Sequence, residues 1–229
     1  MKTRKVKHLL LCLLVACAFA ACDELDQTWD PYHDWKDRNA KWFEQVADTA
    51  RQSIAEAKAL FGDAWEDHCD WRMYKVLSKS EQMNSGKLAD SICVKIAKRG
   101  TGSVLPNCGD SVRLSFRGWL METQYDNGDG KLFAERRVFT QTYFGDFDPR
   151  TASPSLSAVD AMISGFATAL QYMSEGADWY VYIPQELAYG AKADGDIPAY
   201  STLLFRINMA AVYPAGSGVP SWKVSPKRQ

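Results

Sequence analysis

The sequence predicts an α+β protein in which mainly antiparallel strands surround one short helix, with a longer amphipathic helix in front of them. Residues 111–117 alternate apolar and polar side chains, as a half-buried strand does. Other strand-like segments follow without the regular strand–helix alternation that is typical of parallel sheets. Apolar residues at spacings of three, four or seven over residues 35–61 indicate one face of a helix.

The first 21 residues have the order of a secretory signal, with a basic start and then an apolar run over residues 9–21. Residues 19–22 (Phe-Ala-Ala-Cys) resemble a bacterial lipobox, so we expect lipidation of Cys22. Such an anchor would hold an exported protein in the cell envelope, on the periplasmic or the surface side of the outer membrane. Cys17 is the alternative lipidation site, and cleavage without any lipid is the other alternative.

Composition excludes several function classes. Four of the 27 basic residues and none of the 28 acidic residues lie within residues 1–21, which leaves a net charge of −5 on the remainder. A mildly acidic domain is poorly suited to phosphate backbones, so we expect no nucleic-acid partner. A hydrophobic content of 46% with 12% aromatic residues is sufficient for a packed core.

An acidic tether over residues 22–33 precedes the amphipathic helix, and Gly62 is suited to that helix's end. The apolar face of the helix must be buried against something, either this chain's own downstream domain or a second copy of the chain. The lead-in strand at residues 72–77 completes an N-terminal region over residues 34–89. The residues that define the apolar face are Trp35, Trp42, Phe43, Val46, Ala50, Ile54, Ala57 and Phe61.

The strand-rich part begins at residues 91–96 and continues with the alternating strand, which we expect to run from residue 111 to residue 125. The Asp/Asn/Gly cluster at residues 126–130 predicts a hairpin turn with a return strand over residues 131–139. Glycines occupy alternate positions in this cluster, so a turn is favoured over an EF-hand calcium loop.

The rest of the chain is expected to contain one helix and two strands. A Pro/Ser/Asp-rich loop is followed by a helix, a strand, a second strand and a tail that we expect to be flexible. These segments are residues 146–157 (loop), 166–173 (helix), 178–184 and 202–209 (strands), and 214–229 (tail).

Familiar catalytic machinery is missing from the strand-rich part. The three histidines are His8, His33 and His68, so no imidazole lies beyond residue 68 to act as a base or metal ligand. We therefore expect neither a metal nor a cofactor. Cys69, Cys93 and Cys108 are interpreted as core or structural residues; one pair of them could form a disulfide, and sequence does not choose which.

Four segments in order resemble the FKBP-type peptidyl-prolyl cis-trans isomerases. They are residues 112–118, 163–166, 176–190 and 197–205, and the resemblance covers residues 90–213. It implies a curved antiparallel sheet wrapped around a short helix, with an apolar pocket between them. It also implies an isomerase that acts on proline-containing polypeptides. Together with the lipobox-like residues before Cys22, it predicts a membrane-anchored isomerase that assists the folding of envelope proteins.

The resemblance assigns roles to nine residues. Tyr189 would donate its hydroxyl to a substrate carbonyl, and the Ile163 N–H would contact the bound peptide. Phe166 would be the floor of the pocket, supported by Met162. The walls and edge of the pocket would be formed by Phe116, Phe139, Thr140, Ile197 and Phe205.

Three of these positions depart from the family pattern. Phe116 stands where the family usually has tyrosine, Thr140 where it has aspartate, and Phe166 where it has tryptophan. The loop at residues 153–156 lacks a clear aromatic wall, and the hairpin over residues 121–139 is longer than usual. Two main functions follow: an isomerase, or a weakly active chaperone-like module that binds proline-containing or apolar segments. A structural subunit that associates through residues 35–61 is the third interpretation.

Overall fold

The structure is a computed structural model that describes residues 29–79, 86–126 and 128–222. The predicted signal peptide, Cys22, most of the predicted tether and residues 223–229 of the predicted tail lie outside the described residues. Within those three ranges, no helix is long and apolar enough to cross a membrane. The α+β class that the sequence predicts is confirmed.

Three helices and nine strands are found in the described part of the chain. The helices are α1 (Trp35–Phe61), α2 (Trp65–His68) and α3 (Ser164–Leu170). The strands are β1 (Trp71–Lys75), β2 (Ser91–Lys98), β3 (Ser111–Trp119), β4 (Thr123–Asp126), β5 (Leu132–Glu135), β6 (Val138–Gln141), β7 (Ser155–Ala158), β8 (Asp178–Ile183) and β9 (Leu203–Tyr213).

The main sheet is antiparallel, with the strand order β1-β2-β8-β9-β3-β6 and with β7 also paired to β3. Strands β4 and β5 form a separate two-stranded sheet. The long pairing of β3 with β9 lies beside β6, and these three strands carry most of the candidate pocket. Helix α3 covers this sheet on the side of the main core.

Helix α1 is confirmed, and it packs on its own domain. It ends at Gly62, which has a φ of 55° that favours glycine, and the Gly62 N–H donates to the Lys58 carbonyl. Phe43 packs with Cys93 of β2 on the face of the sheet that α3 does not cover. Of the two alternatives for the apolar face, the structure shows docking on this chain. The buried residues of α1 are Trp35, Asn39, Phe43, Ala47, Ala50 and Ala57.

Strand β2 is buried on both faces because α1 and α3 lie on opposite sides of it. Ile92, Cys93 and Val94 are all fully buried, with Ile92 and Val94 in the main core and Cys93 against α1. Burial raises the pKa of the Cys93 thiol to about 12, which keeps it protonated. Cys69 is also buried, Cys108 is exposed, and none of the three forms a disulfide. The interpretation of Cys108 as a core residue is therefore wrong.

The predicted strand over residues 111–125 is interrupted. Strand β3 ends at Trp119, and Leu120 and Met121 are both buried, at 1% and 6% exposure. The chain leaves the main sheet at these two residues, and β4 begins a second sheet with β5. The return strand divides in the same way into β5, which completes the hairpin, and β6, which rejoins β3.

The hairpin turn is confirmed, and other boundaries shift. The Asp126 carboxylate accepts hydrogen bonds from the N–H groups of Gly128 (2.8 Å) and Gly130 (3.1 Å), as in an Asx turn. The predicted loop over residues 146–157 ends in β7, which pairs with β3. Helix α3 begins and ends earlier than the predicted helix over residues 166–173, and β9 runs past residue 209.

The segment after β9 contacts the domain as far as it is described. The Arg113 guanidinium donates to the Pro220 carbonyl (3.0 Å) and lies 5.8 Å from the Trp222 ring. The Ala215 N–H donates to the Asp110 carboxylate at 2.8 Å. These contacts place the first part of the predicted tail against the strand β3 end of the sheet.

Candidate active site

One cavity of about 580 Å³ brings together all nine residues to which the resemblance assigns a role. It lies between α3, the β3–β6–β9 part of the sheet and the loop that follows β8. Phe116 comes from β3, Phe205 from β9, and Phe166 from α3. The other six are Phe139, Thr140, Met162, Ile163, Tyr189 and Ile197.

Four phenylalanine rings form the apolar part of the cavity. Phe166 and Phe205 are 2% and 5% exposed, and their ring centroids lie 4.9 Å apart at 87°. Phe139 meets Phe205 edge-to-face at 5.4 Å, and Phe116 meets Phe166 at 5.7 Å and 76°. Edge-to-face contacts of this kind fix the rings relative to one another, so the pocket is already formed without a ligand.

Gly118 allows these walls to approach the sheet. A Cβ at this position would lie 2.7 Å from the Phe139 ring, 2.8 Å from the Phe205 ring and 2.9 Å from the Thr140 methyl group. Such distances are shorter than van der Waals contact. Glycine is therefore needed here for space and not for an unusual backbone conformation.

A backbone donor is available at the start of α3. Ile163 lines the cavity, and within the described residues its N–H donates no hydrogen bond, while its carbonyl accepts from the Ala167 N–H at 2.9 Å. The first N–H groups of a helix have no partner inside the helix. The Ile163 N–H is thus free to donate to a peptide carbonyl.

Tyr189 is the main side-chain donor at the rim, with 37% of its surface exposed. Partial burial raises the pKa of Tyr189 above its ordinary value of 10.0, and the charge of Asp194 and a hydrogen bond to its carboxylate raise it further. The hydroxyl is therefore a neutral donor near neutral pH.

The loop from Tyr189 to Ile197 adds two carboxylates that sequence reasoning missed. Asp194 and Ile197 exchange two backbone hydrogen bonds of 3.0 and 2.9 Å, which tighten the chain around Gly195 at a φ of 53°. Asp194 and Asp196 both line the cavity as a result. The available signal was the pair of acidic residues between two assigned site residues.

The two departures at Phe116 and Thr140 lie in the pocket itself. The Phe116 N–H donates to the Thr142 hydroxyl (2.8 Å), and its ring faces Phe166. Phe116 supplies no hydroxyl, and Thr140 supplies no carboxylate. Asp194 and Asp196 bring negative charge to the cavity from the loop after β8 instead.

A second cavity of about 740 Å³ adjoins the first and shares Phe139, Gly195, Asp196 and Ile197 with it. Tyr32, which precedes α1, also lines it. Its remaining lining comes from the chain around the divided return strand and from the end of the loop: Leu120, Glu135, Arg137, Val138, Ala193 and Pro198. The four shared residues therefore border both cavities.

No metal centre accompanies the two cavities: the three described ranges contain no group of three or more His, Cys, Asp or Glu side chains placed to hold a metal ion. The chemistry of the site consists of aromatic walls, two hydrogen-bond donors and carboxylates at the rim.

Comparison with known proteins identifies the class of this domain. Residues 102–210 match the family model described as FKBP-type peptidyl-prolyl cis-trans isomerase. The match contains every residue that lines the smaller cavity. Helix α1 and strands β1 and β2 lie outside it, although β2 pairs with β8 in the same sheet.

Curated relatives carry related names. The chain is 28% identical over 141 residues to a "Macrophage infectivity potentiator" of Trypanosoma cruzi, covering 61% of this chain and 62% of that one. It is 30% identical over 126 residues to an "Outer membrane protein MIP" of Legionella longbeachae (55% and 46% covered). It is 29% identical over 136 residues to an "FKBP-type 22 kDa peptidyl-prolyl cis-trans isomerase" of Escherichia coli K12 (59% and 55% covered). Less than two thirds of each relative is spanned, so the activity and substrates of this chain are proposals.

Proposed function

We propose that the protein is a peptidyl-prolyl cis-trans isomerase that acts on proline-containing segments of exported polypeptides. The observation that carries the proposal is the convergence of all nine assigned residues on one preformed aromatic cavity. The family match over residues 102–210 supports the same activity.

The pocket acts on the amide bond before proline by changing its surroundings. Rotation about this bond faces a barrier of roughly 18–20 kcal/mol because resonance holds the amide planar. The planar amide is the more polar form, so removing its water in a pocket walled by Phe166 and Phe205 favours the twisted amide by comparison. Walls that fit the twisted prolyl segment bind the transition state better than either ground state, which is what acceleration requires.

Two donors hold the peptide while the bond turns. The Ile163 N–H and the Tyr189 hydroxyl would each donate to a carbonyl beside the rotating bond. Asp194 lines the same cavity, so its carboxylate is a competing acceptor for the Tyr189 hydroxyl. No covalent bond to the protein forms or breaks in this mechanism.

The test is a protease-coupled assay on a proline-containing tetrapeptide, with the Tyr189→Phe variant beside the unaltered protein. We expect conversion faster than in buffer and a slower rate for the variant. A rate equal to that of buffer, with no effect of the substitution, would overturn the proposal.

The second candidate is a peptide-binding module with little turnover, and a specific observation favours it. The pocket lacks a hydroxyl at Phe116 and a carboxylate at Thr140. A large gain in rate for the double variant Phe116→Tyr/Thr140→Asp would favour this candidate. Little change would show that those groups are not needed.

Peptide binding itself is tested by titration with a proline peptide, followed by NMR of the pocket aromatic signals. The absence of any shift in these signals would exclude a prolyl pocket.

We also propose that the protein works in the bacterial envelope, held by a lipid on Cys22. The basic and apolar order of residues 1–21 followed by cysteine supports this location. Metabolic labelling with palmitate in a bacterial host tests it. Labelling should disappear in the Cys22→Ser variant, and labelling that is instead lost with Cys17→Ser would move the anchor to the alternative site.

A further inference from the structure

A short segment, residues 198–202, joins two parts of the pocket, the rim loop that ends at Ile197 and strand β9. Ile197 closes that loop, and strand β9 carries Phe205. Tyr200 in this segment has a φ of 64°, a left-handed conformation that is strained for a residue other than glycine. The Tyr200 N–H donates to the Gly190 carbonyl at 2.7 Å, so this strained residue is tied directly to the residue after Tyr189.

Helix α1 holds both residues that follow Tyr200. The Asn39 carboxamide oxygen accepts the Thr202 N–H at 2.9 Å, and the Thr202 hydroxyl donates to the Asn39 carbonyl at 3.3 Å. The Trp35 indole N–H donates to the Ser201 hydroxyl at 2.9 Å, and that hydroxyl donates in turn to the Pro198 carbonyl at 2.7 Å.

These contacts are well shielded from water. Asn39 is fully buried, and its amide N–H₂ donates to the Trp35 carbonyl at 2.8 Å, so the side chain has partners at both ends. Trp35, Ser201 and Thr202 are between 1% and 5% exposed. Buried hydrogen bonds of this kind define one conformation, because breaking them leaves polar groups unpaired.

We infer that Trp35 and Asn39 are positioning residues of the prolyl pocket, although both lie outside the matched family domain. The strained backbone of Tyr200 favours relaxation of residues 198–202. Such relaxation would shift Ile197, and through the hydrogen bond from Tyr200 to Gly190 it would also shift Tyr189. The two helix residues oppose that relaxation from the other side of the segment. Helix α1 is then part of the peptide-binding machinery. The effect on turnover rests on the proposed isomerase function, whereas the effect on the loop does not.

The test is the Asn39→Leu substitution in the whole protein, which keeps side-chain volume and removes both amide contacts. Amide hydrogen exchange of residues 189–197 should become on the order of tenfold faster, and the proline-peptide kcat/KM should fall by a similar factor. In the Tyr200→Gly background, where a φ of 64° carries no strain, the same substitution should cost about threefold or less. That rescue is not expected from a residue that only docks the helix.

The matched control is Phe43→Leu, which weakens the packing of α1 at a distance from the segment. It should lower the unfolding temperature and leave exchange at residues 189–197 unchanged. Equal effects of Phe43→Leu and Asn39→Leu on that exchange, or no rescue by Tyr200→Gly, would overturn the inference. If Asn39→Leu does not fold, Trp35→Phe is the alternative, because it removes only the indole donor and should produce the same pattern more weakly. Unchanged hydrogen exchange at residues 189–197 in that variant would contradict the inference. An inactive unaltered protein would refute the proposed function alone, since exchange is measured without turnover.

Discussion

At the scale of single residues, the width of the pocket depends on Gly118. Its missing Cβ is the space into which the Phe139 and Phe205 rings and the Thr140 methyl group extend. These two rings belong to a cluster of four phenylalanines that meet edge-to-face at centroid distances between 4.9 and 5.7 Å. A displaced ring at Gly118 would therefore move its neighbours as well.

Gly118→Ala should destabilise the protein by about 1–3 kcal/mol, because the added methyl group overpacks the aromatic cluster. Binding of a proline peptide should weaken together with stability. Thermal unfolding and a peptide titration measure the two effects. Gly109→Ala is the matched control, since a Cβ there meets nothing within 4 Å. Equal behaviour of the two variants would contradict this account of the pocket walls.

The pH dependence of turnover follows from Tyr189. Its pKa is raised above 10.0 by partial burial and by Asp194, so the neutral hydroxyl, which we propose donates to substrate, persists through neutral and mildly alkaline pH. We expect kcat/KM to stay flat from about pH 6 to about pH 9 and to fall only above the ordinary tyrosine range. A fall near pH 8 that disappears in Tyr189→Phe would show that the pKa of this hydroxyl is lowered instead.

Sequence reasoning identified the nine assigned residues through a family pattern but did not identify Asp194 and Asp196. The position of an apolar or aromatic residue within a family motif predicts that its side chain lies in the pocket. An acidic residue in a loop is instead usually exposed to solvent, so its presence does not predict a pocket position. In the structure, two backbone hydrogen bonds join Asp194 to Ile197, and both carboxylate residues line the cavity. That geometry depends on residues outside any local pattern.

At the scale of elements, helix α1 was the clearest prediction because its apolar residues repeat along one face over 27 residues. The predicted strand over residues 111–125 was too long, because β3 ends at Trp119 and β4 begins at Thr123. Apolar and polar side chains alternate both before and after Leu120, so the sequence pattern does not reveal the break between the two strands. Strand β7 was missed because Ser155 and Ser157 resemble loop residues. Its four residues form a strand through pairing with β3, which is a tertiary effect.

Helix α1 should unfold together with the sheet. Phe43 is 4% exposed between α1 and the strands, so Phe43→Ala should cost roughly 3–5 kcal/mol. Denaturant unfolding of this variant should remain a single transition with a lowered midpoint, whereas Gln45→Ala on the exposed side of the helix should change little. A separate early transition for the helix signal would show that α1 is independent of the domain.

At the scale of the whole molecule, the chain should be monomeric in solution once any anchor is removed. Most of the apolar face of α1 is buried on its own domain, and the exposed remainder at Leu60 and Phe61 is small. Sedimentation at micromolar concentration should therefore give the mass of one chain. A stable dimer that a truncation before Asp63 dissolves would support the structural-subunit interpretation instead.

The aromatic-rich and histidine-poor composition of the chain has a physical explanation in its pocket. The chain has 28 aromatic Phe, Trp and Tyr residues and no histidine beyond His68, and the pocket is built from aromatic rings with no imidazole. The cooperation of α1 with the pocket could not be predicted, because Asn39 and Thr202 are separated by 163 residues. No local pattern relates two such positions.

The central claim is that this cavity accelerates rotation about the bond before proline. The most direct measurement is the protease-coupled cis-to-trans conversion of a proline tetrapeptide by the purified protein, by Tyr189→Phe and by Tyr213→Phe. The last variant makes the same chemical change outside the cavity. We expect the unaltered protein and Tyr213→Phe to accelerate conversion equally, and Tyr189→Phe to lose about three- to tenfold in kcat/KM, the value of one hydrogen bond. Conversion at the rate of buffer alone, or equal rates for the two variants, would contradict the claim.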